Sequence, residues 1–144
     1  MSTYSPRLSG GMPEGWVGKG SITLLSPDGQ ANVIAASEPV DPSIDSETYA
    51  TVQGDVLREQ FPGYSEISVE SGVVLGGDGY RRTFEWEPPD GTRVTQIQAY
   101  RVAGSTAYTA TATTPSERFG LIEPILRMVV DSISVPEPGE PKAG

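Results

Sequence analysis

Short stretches in which apolar and polar residues alternate are the main pattern of this chain, and a period of two is typical of β-strands. Two of them precede residue 40 and are joined by Ser26-Pro27-Asp28-Gly29, which is suited to a tight turn, so they predict a hairpin. Gly76-Gly77-Asp78-Gly79 and Pro89-Asp90-Gly91 predict turns between later strands. The predicted strands are residues 21–25, 31–36, 66–69, 73–75, 80–87, 93–102 and 107–113.

Residues 45–61 follow a helical period instead. Asp45 is placed to cap the first turn, and Pro62-Gly63 to end the element. Gly54 weakens the middle of this helix by about 1 kcal/mol relative to alanine, and we expect it to allow close approach of a strand. The apolar residues that recur at spacings of three and four are Tyr49, Val52, Val56 and Leu57.

The second predicted helix begins at a capping box. Thr114-Pro115-Ser116-Glu117 has this sequence, with proline at the first helical position, and the helix is expected to run to about Ser132. Pro124 has no N–H for the carbonyl of Gly120, so we expect a kink or a loosened turn near residues 120–123. The residues predicted to pack on a sheet are Phe119, Ile122, Leu126, Val129 and Ile133.

This order of elements predicts an α+β domain, an antiparallel β-sheet of about six or seven strands flanked by two main helices. A chain of 144 residues is long enough to bury one hydrophobic core without disulfides. We assign the domain to residues 15–135. Residues 1–14 are predicted to be a flexible N-terminal arm, and residues 136–144, rich in Pro, Gly and Glu, a disordered tail.

The chain contains no histidine and no cysteine. This excludes a Ser/His/Asp triad, a thiolate nucleophile and a soft metal site, so we expect a non-enzymatic binding module without cofactor or metal. Glu85 and Glu87, on one face of a predicted strand, leave a carboxylate pair as the enzymatic alternative, although such residues are commonly a solvated edge. Asp41, Asp45 and Glu47 lack the spacing of a calcium loop and favour a helix start.

The formal net charge of −9 repels phosphate backbones, so we expect no nucleic-acid partner. No apolar stretch approaches the length of a bilayer span, and the first residues are polar, without the apolar segment of a secretory leader. These features predict a protein that does not insert into membranes.

Several short blocks resemble the DcrB-related family over about residues 15–134. They are Gly15-Trp16 before a strand, Gln60-Phe61-Pro62-Gly63, Gln96-Ile97-Gln98-Ala99-Tyr100, and residues 111–119. The resemblance implies a PsbP-like fold. Within it, the chain looks like the Eag-type adaptors of type VI secretion, which are cytoplasmic homodimers that shield hydrophobic N-terminal helices of effector proteins. The resemblance therefore implies a cytoplasmic homodimer that binds such a partner.

Alternating positions predict where that partner would bind. Ile97 and Ala99 share one face of a strand, and Gln96 and Gln98 point the other way. A sheet face that mixes small, apolar, amide and hydroxyl groups suits a partner helix with a few polar atoms. The predicted partner-binding residues are Ile97, Ala99, Thr109, Thr111, Thr113, Gln98 and Trp16.

Plainer interpretations exist for the same residues. Threonine is common in half-exposed strands for its β-propensity alone, and Trp16 is equally suited to plugging a sheet edge. Tyr80, Phe84 and Trp86 share one face and are assigned first to the core beneath a helix, and second to a partner pocket. The alternative function is an exported or lipoprotein-type ligand-binding domain.

Overall fold

The computed structural model describes residues 21–133. Within them, two helices accompany one six-stranded antiparallel sheet with the strand order β1-β2-β6-β5-β4-β3. This confirms the predicted α+β class. The elements in chain order are β1 (Ser21–Leu25), β2 (Asn32–Pro39), α1 (Ser46–Gln60), β3 (Ser65–Val74), β4 (Gly77–Trp86), β5 (Val94–Ala103), β6 (Thr106–Pro115) and α2 (Ser116–Ser132). The predicted arm 1–14, the tail 136–144 and Trp16 lie outside the described residues.

The hairpin between β3 and β4 corrects two predictions. The strands predicted over residues 66–69 and 73–75 are one continuous strand, and the turn is formed by Leu75 and Gly76, with Gly77 already paired to Val74. Both turn residues have positive φ, 52° and 84°, the conformation of a type I′ hairpin turn. Leucine is tolerated there because its side chain is buried and its carbonyl accepts a hydrogen bond from Arg101 Nη1 at 3.0 Å.

The helix α1 begins and ends where the sequence predicts. The Asp45 carboxylate accepts a hydrogen bond from the Thr48 N–H at 2.7 Å, as a helix N-cap does. The helix packs on β4 and β5, and Gly54 faces the buried Arg82 of β4. An ideal Cβ at Gly54 would lie 2.5 Å from Arg82 Nη2, so the glycine makes room for the Arg82 side chain of β4. The predicted close approach of the strand itself stays a prediction.

The helix α2 packs on the other side of the sheet, over β2, β5 and β6. The face predicted for it is confirmed, since all five residues join the core there. The predicted capping box is wrong: Thr114 and Pro115 belong to β6, and no side chain caps the helix. The Ser116 N–H instead donates a hydrogen bond to the Arg93 carbonyl at 3.0 Å. The helix continues through Pro124 to Ser132.

The two helices therefore cover different parts of the sheet on opposite sides. On the α1 side, the helix lies over β4 and β5, and the main contacts of α1 do not extend to β1, β2 or most of β6. On the α2 side, the helix covers β2, β5 and β6. Part of the α1 side, next to α1, is consequently not covered by either of the helices within residues 21–133.

Candidate functional site

The uncovered part of the α1 side is the candidate site, and we call it the open face. Its residues are brought together by strand register: Ile34 and Gln98 both pair with Thr111, from the two strands beside β6. Directly opposite residues of antiparallel strands point to the same face, which places these side chains together. The open face consists of Ile34 and Ala36 of β2, Thr109, Thr111 and Thr113 of β6, and Gln96 and Gln98 of β5.

The structure divides the predicted partner-binding residues between two sides of the sheet. The three threonines and Gln98 come together on the open face, where each is partly exposed. Ile97 and Ala99 pair with Ala112 and Ala110, and both are fully buried in the core beneath α2. Their assignment to an exposed binding surface is therefore corrected, because α2 covers their side of β5.

Hydrogen bonds fix the amide of Gln96 at one end of the open face. Trp86 Nε1 donates to Gln96 Oε1 at 3.0 Å, and Gln96 Nε2 donates to the Thr113 hydroxyl at 2.7 Å. The Trp86 ring also packs on Phe61, with 4.1 Å between ring centroids. This end is thus closed by an ordered aromatic and amide cluster. Phe84, which shares the face of Trp86, is fully buried, as its assignment to the core required.

A second chain of hydrogen bonds runs from α1 to Gln98. The Arg82 guanidinium is buried and donates to the Ala50 carbonyl at 3.1 Å and to the Tyr100 hydroxyl at 3.2 Å. The Tyr100 hydroxyl in turn donates to Gln98 Oε1. This contact occupies the amide oxygen of Gln98, so the amide nitrogen is the group that remains for a ligand, with no partner within residues 21–133.

One flank of α1 forms a wall beside the open face. Tyr49 Oη donates to Glu38 Oε1 of β2 at 3.4 Å, whereas Arg58 approaches Glu66 of β3, so the Tyr49 flank is the one nearer to β2 and β6. Val52 and Val56 belong to that flank, since 100° per residue places Val56 close to Tyr49 around the helix axis. Their side chains are 51% and 37% exposed, although the periodicity suggested an inward face for both.

None of the side chains that form the open face is charged. Burial, followed by the Glu38 carboxylate, raises the pKa of Tyr49, and burial raises the pKa of Tyr100, so both phenols stay protonated near neutral pH. A protonated phenol is what allows Tyr100 to donate to Gln98. What this arrangement offers a ligand is neutral hydrogen-bonding groups beside apolar ones.

The acidic residues considered for catalysis or metal binding have structural contacts elsewhere. Glu85 accepts a hydrogen bond from Arg93 Nε at 2.9 Å, and Glu87 lies beyond the end of β4, with its N–H donating to the Pro62 carbonyl. Asp41 accepts two hydrogen bonds from Ser43. Over residues 21–133, no three acidic side chains are grouped as metal ligands, and no helix is long and apolar enough to cross a membrane.

Several residues of this surface were not singled out from the sequence for binding. Ile34 and Ala36 read as ordinary strand residues, and the exposure of Val52 and Val56 depends on where α1 lies on the sheet. The only sequence signal of Arg82 is that it alternates with Tyr80 and Phe84, which predicts an inward side chain. That combination, a charge at an inward position, is the available indication of a buried polar contact.

Comparison with known proteins gives structural likeness only. No protein family model and no curated protein matches the sequence. Among solved structures, PA94 from Pseudomonas aeruginosa, a protein of unknown function, has a TM-score of 0.73 at 14% identity, and the alignment covers 92% of this chain and 90% of PA94.

Two further structures share the fold. LpqN, involved in cell envelope biogenesis of Mycobacterium tuberculosis, has a TM-score of 0.55 at 14% identity, over 74% of this chain and 62% of LpqN. The cyanobacterial PsbP of Synechocystis has a TM-score of 0.55 at 10% identity, over 78% of this chain and 80% of that protein. The similarity to the DcrB-related family stays a prediction from short sequence blocks. At these identities the likeness concerns the fold alone, and the chain has the α+β fold of PsbP-like proteins.

Proposed function

We propose that the protein is a non-enzymatic adaptor whose open face binds an apolar segment of another protein. The observation that carries the proposal is the combination of an uncharged sheet surface with hydrogen-bonding groups that the described fold does not use. Thr109 and Thr111 make no hydrogen bond through their hydroxyls within residues 21–133. Ile34 of β2, the strand between β1 and β6, is 41% exposed. An apolar sequence with occasional polar atoms is what such a surface accommodates best.

The dimensions of the open face suit a helix. Its three strands β2, β6 and β5 are spaced by about 4.8 Å, so the outer two lie about 10 Å apart. An α-helix with side chains is about 10–12 Å across. The α1 flank with Val52 and Val56 would contact one side of a helix lying there, and the exposed Ile34 would contact its underside.

The amide and hydroxyl groups would serve the polar atoms of the bound segment. Interfaces between apolar helices commonly use Ser, Thr and Gln side chains to hydrogen-bond polar atoms that lose contact with water. The Gln98 amide nitrogen and the Thr111 hydroxyl are register neighbours and offer this without burying a charge. We infer that the partner segment is apolar, neutral and helical, in line with the hydrophobic N-terminal helices of secretion effectors that the sequence resemblance implies. A cytoplasmic location belongs to the same proposal.

The experiment is affinity purification of the full chain from its host, comparing the native protein with Thr111→Arg. An arginine at the centre of the open face places a charge where an apolar segment would lie, and the expected result is at least a tenfold loss of the captured partner. Thr92→Arg is the matched control, because Thr92 is an exposed threonine in the β4–β5 loop, away from this surface.

Deleting the apolar N-terminal segment of the captured protein supplies the second half of the test. Loss of binding after this deletion supports the proposal. A partner retained by Thr111→Arg, or retained after the deletion, contradicts it. Equal thermal melting of both arginine variants and the native protein excludes misfolding as the cause of a loss.

An exported ligand-binding domain is the second candidate. The fold it shares with LpqN, a protein described as acting in cell envelope biogenesis, is the observation in its favour. Native mass spectrometry separates the two candidates: a small molecule that copurifies with the native chain and is lost in Thr111→Arg supports this one.

A further inference from the structure

The strand β3 forms an edge of the sheet in the described structure and has the features of a pairing surface. It is ten residues long and pairs with β4 on one side only. On the α1 side of this strand, Val69 is 43% exposed and Val73 is 74% exposed. A row of free backbone groups beside exposed valines is a template for another strand.

The protections that soluble proteins place on such edges are largely missing here. The strand has a bulge between Glu66 and Ser68, but from Ser68 to Val74 its pairing with β4 is regular, without proline or lysine. Gly72 lies in this part, where a glycine weakens a strand, and no conformation or contact within the described structure requires a glycine there. It does not have a positive φ, and nothing lies within 4 Å of where its Cβ would be.

The hairpin geometry determines which backbone groups face outward. The two-residue turn makes Val74 and Gly77 the closing hydrogen-bonded pair. Because hydrogen-bonded and non-hydrogen-bonded positions alternate along an antiparallel pair, the N–H and C=O groups of Val69, Ser71 and Val73 point away from β4.

We propose that two copies of this chain associate by antiparallel pairing of β3 with β3, centred on Ser71. The two-fold axis is perpendicular to the sheet, so each side of one sheet continues into the same side of the other. Ser71 then faces Ser71 of the second copy, and Val69 faces Val73 of the second copy, twice by symmetry. The outward groups of all three residues are paired, and four valines form two cross-strand contacts.

Charge and valine contacts favour this register over the registers centred one residue earlier or later. A pair centred on Glu70 would place two Glu70 carboxylates directly opposite each other, which is destabilising. A pair centred on Gly72 would place Val73 opposite Ser71 and separate the valines. In the register centred on Ser71, Glu70 faces Gly72 of the second copy, which gives the carboxylate room and gives the otherwise unexplained glycine a role. On its other side, Glu70 lies directly opposite Arg81 of β4.

The contact area sets the expected strength. One strand pair with four valines buries less than the ~1,600 Å² of a standard stable interface, so a weak dimer that dissociates on dilution is expected. Its sheet would be continuous across both copies, with the two open faces on the same side. The proposal does not depend on what the open face binds.

Analytical ultracentrifugation of the full chain across a concentration series tests the association. Val73→Lys should weaken dimerisation at least tenfold, because a lysine would replace the valine that faces Val69 of the second copy at both symmetry-related positions. Leu121→Lys is the matched control, since Leu121 on α2 is 78% exposed and should leave dimerisation unchanged. A monomer at all concentrations overturns the proposal, and so does a dimer that withstands Val73→Lys or is lost in Leu121→Lys.

Disulfide crosslinking tests the register. The chain has no native cysteine, so a single introduced one reports its own symmetry mate. Ser71→Cys should crosslink under mild oxidation, because directly opposite Cα atoms are about 5.5 Å apart. Glu70→Cys should crosslink poorly, since it faces Gly72 of the second copy. Efficient crosslinking at position 70 instead, or at neither position, overturns the proposed register.

Discussion

Arg82 Nη1 donates a hydrogen bond to the Tyr100 hydroxyl at 3.2 Å, and the guanidinium lies over the Tyr100 ring at 5.6 Å from its centroid. Both side chains are buried between the sheet and α1. The Arg82 charge is balanced at the edge by Glu66, whose Oε1 lies 3.3 Å from Arg82 Nε. A buried arginine is stable when its donors are well satisfied, and these contacts, with the Ala50 carbonyl, satisfy three of the five N–H donors. The same contacts orient the polar end of the open face.

Gly54→Ala should destabilise the protein. A glycine-to-alanine change in a helix usually stabilises by about 1 kcal/mol, but here the new methyl group would lie 2.9 Å from Arg82 Cζ. The guanidinium is held by its hydrogen bonds and cannot move aside freely, so we expect a net loss of about 1–3 kcal/mol in the free energy of unfolding.

Gly120→Ala in α2 is the matched control, because nothing lies within 4 Å of its Cβ position. It should stabilise by about 0.5–1 kcal/mol. Urea unfolding of the two variants measures both effects. A stabilised Gly54→Ala protein would show that Arg82 is not fixed as described.

Tyr100→Phe should cost about 1–2 kcal/mol of unfolding free energy. It removes an acceptor from the buried Arg82 and the donor that holds Gln98 Oε1. Binding at the open face should weaken beyond what stability explains, because the Gln98 amide would no longer be held in one orientation. Tyr80→Phe, which removes an exposed hydroxyl bonded to Glu47, should change stability little. Chemical denaturation and partner affinity are measured for both variants, and equal losses in the two would contradict the role of Tyr100.

The N-cap at Asp45 should make part of the stability depend on acid pH. The hydrogen bond from the Thr48 N–H lowers the pKa of Asp45 below its ordinary 3.8. A carboxyl whose pKa is lowered by folding stabilises the protein above the unfolded-state pKa, and this contribution is lost as the pH falls through the folded-state value. The loss is therefore expected below about pH 3.8.

Asp45→Asn separates the charge from the cap, since asparagine also accepts the hydrogen bond but does not titrate. Melting temperatures between pH 2 and pH 7 should show a difference between the native chain and this variant that shrinks as the pH falls. A constant difference across that range would assign the acid sensitivity to other carboxyls, such as Asp28 and Asp41, whose pKa values hydrogen bonds also lower.

Leu75→Asn should destabilise despite improving the turn. Asparagine is favoured at positive φ and would relieve about 1 kcal/mol of backbone strain, but the buried leucine side chain contributes about 1.5–3 kcal/mol through burial. The net loss expected is about 1–2 kcal/mol. Leu25→Asn is the control, because Leu25 is 71% exposed and should cost little. Guanidinium unfolding distinguishes the two, and a stabilised Leu75→Asn chain would mean that strain outweighs burial here.

The limits of the sequence predictions have identifiable causes. Residues 114–117 fit the sequence of a capping box that begins at Thr114, but tertiary pairing extends β6 through Pro115 and shifts the helix start by about one residue. The split of β3 followed from Ser71 and Gly72, which interrupt the alternation without interrupting the strand. Hydrogen bonding to β4 keeps these two residues in the strand although their own β-propensity is low.

What the sequence determined by itself is local. The period of α2 identified five residues that join the core, although not the fully buried Val130. The Asp45 cap identified the start of α1, and alternation identified that Gln98 points opposite to Ile97. Only the tertiary structure decided that α2 covers Ile97 and Ala99 and that α1 stops short of Thr111. The physical reason is that a period of two states which side chains share a face of a strand, whereas the face that a helix covers depends on contacts between residues far apart in the chain.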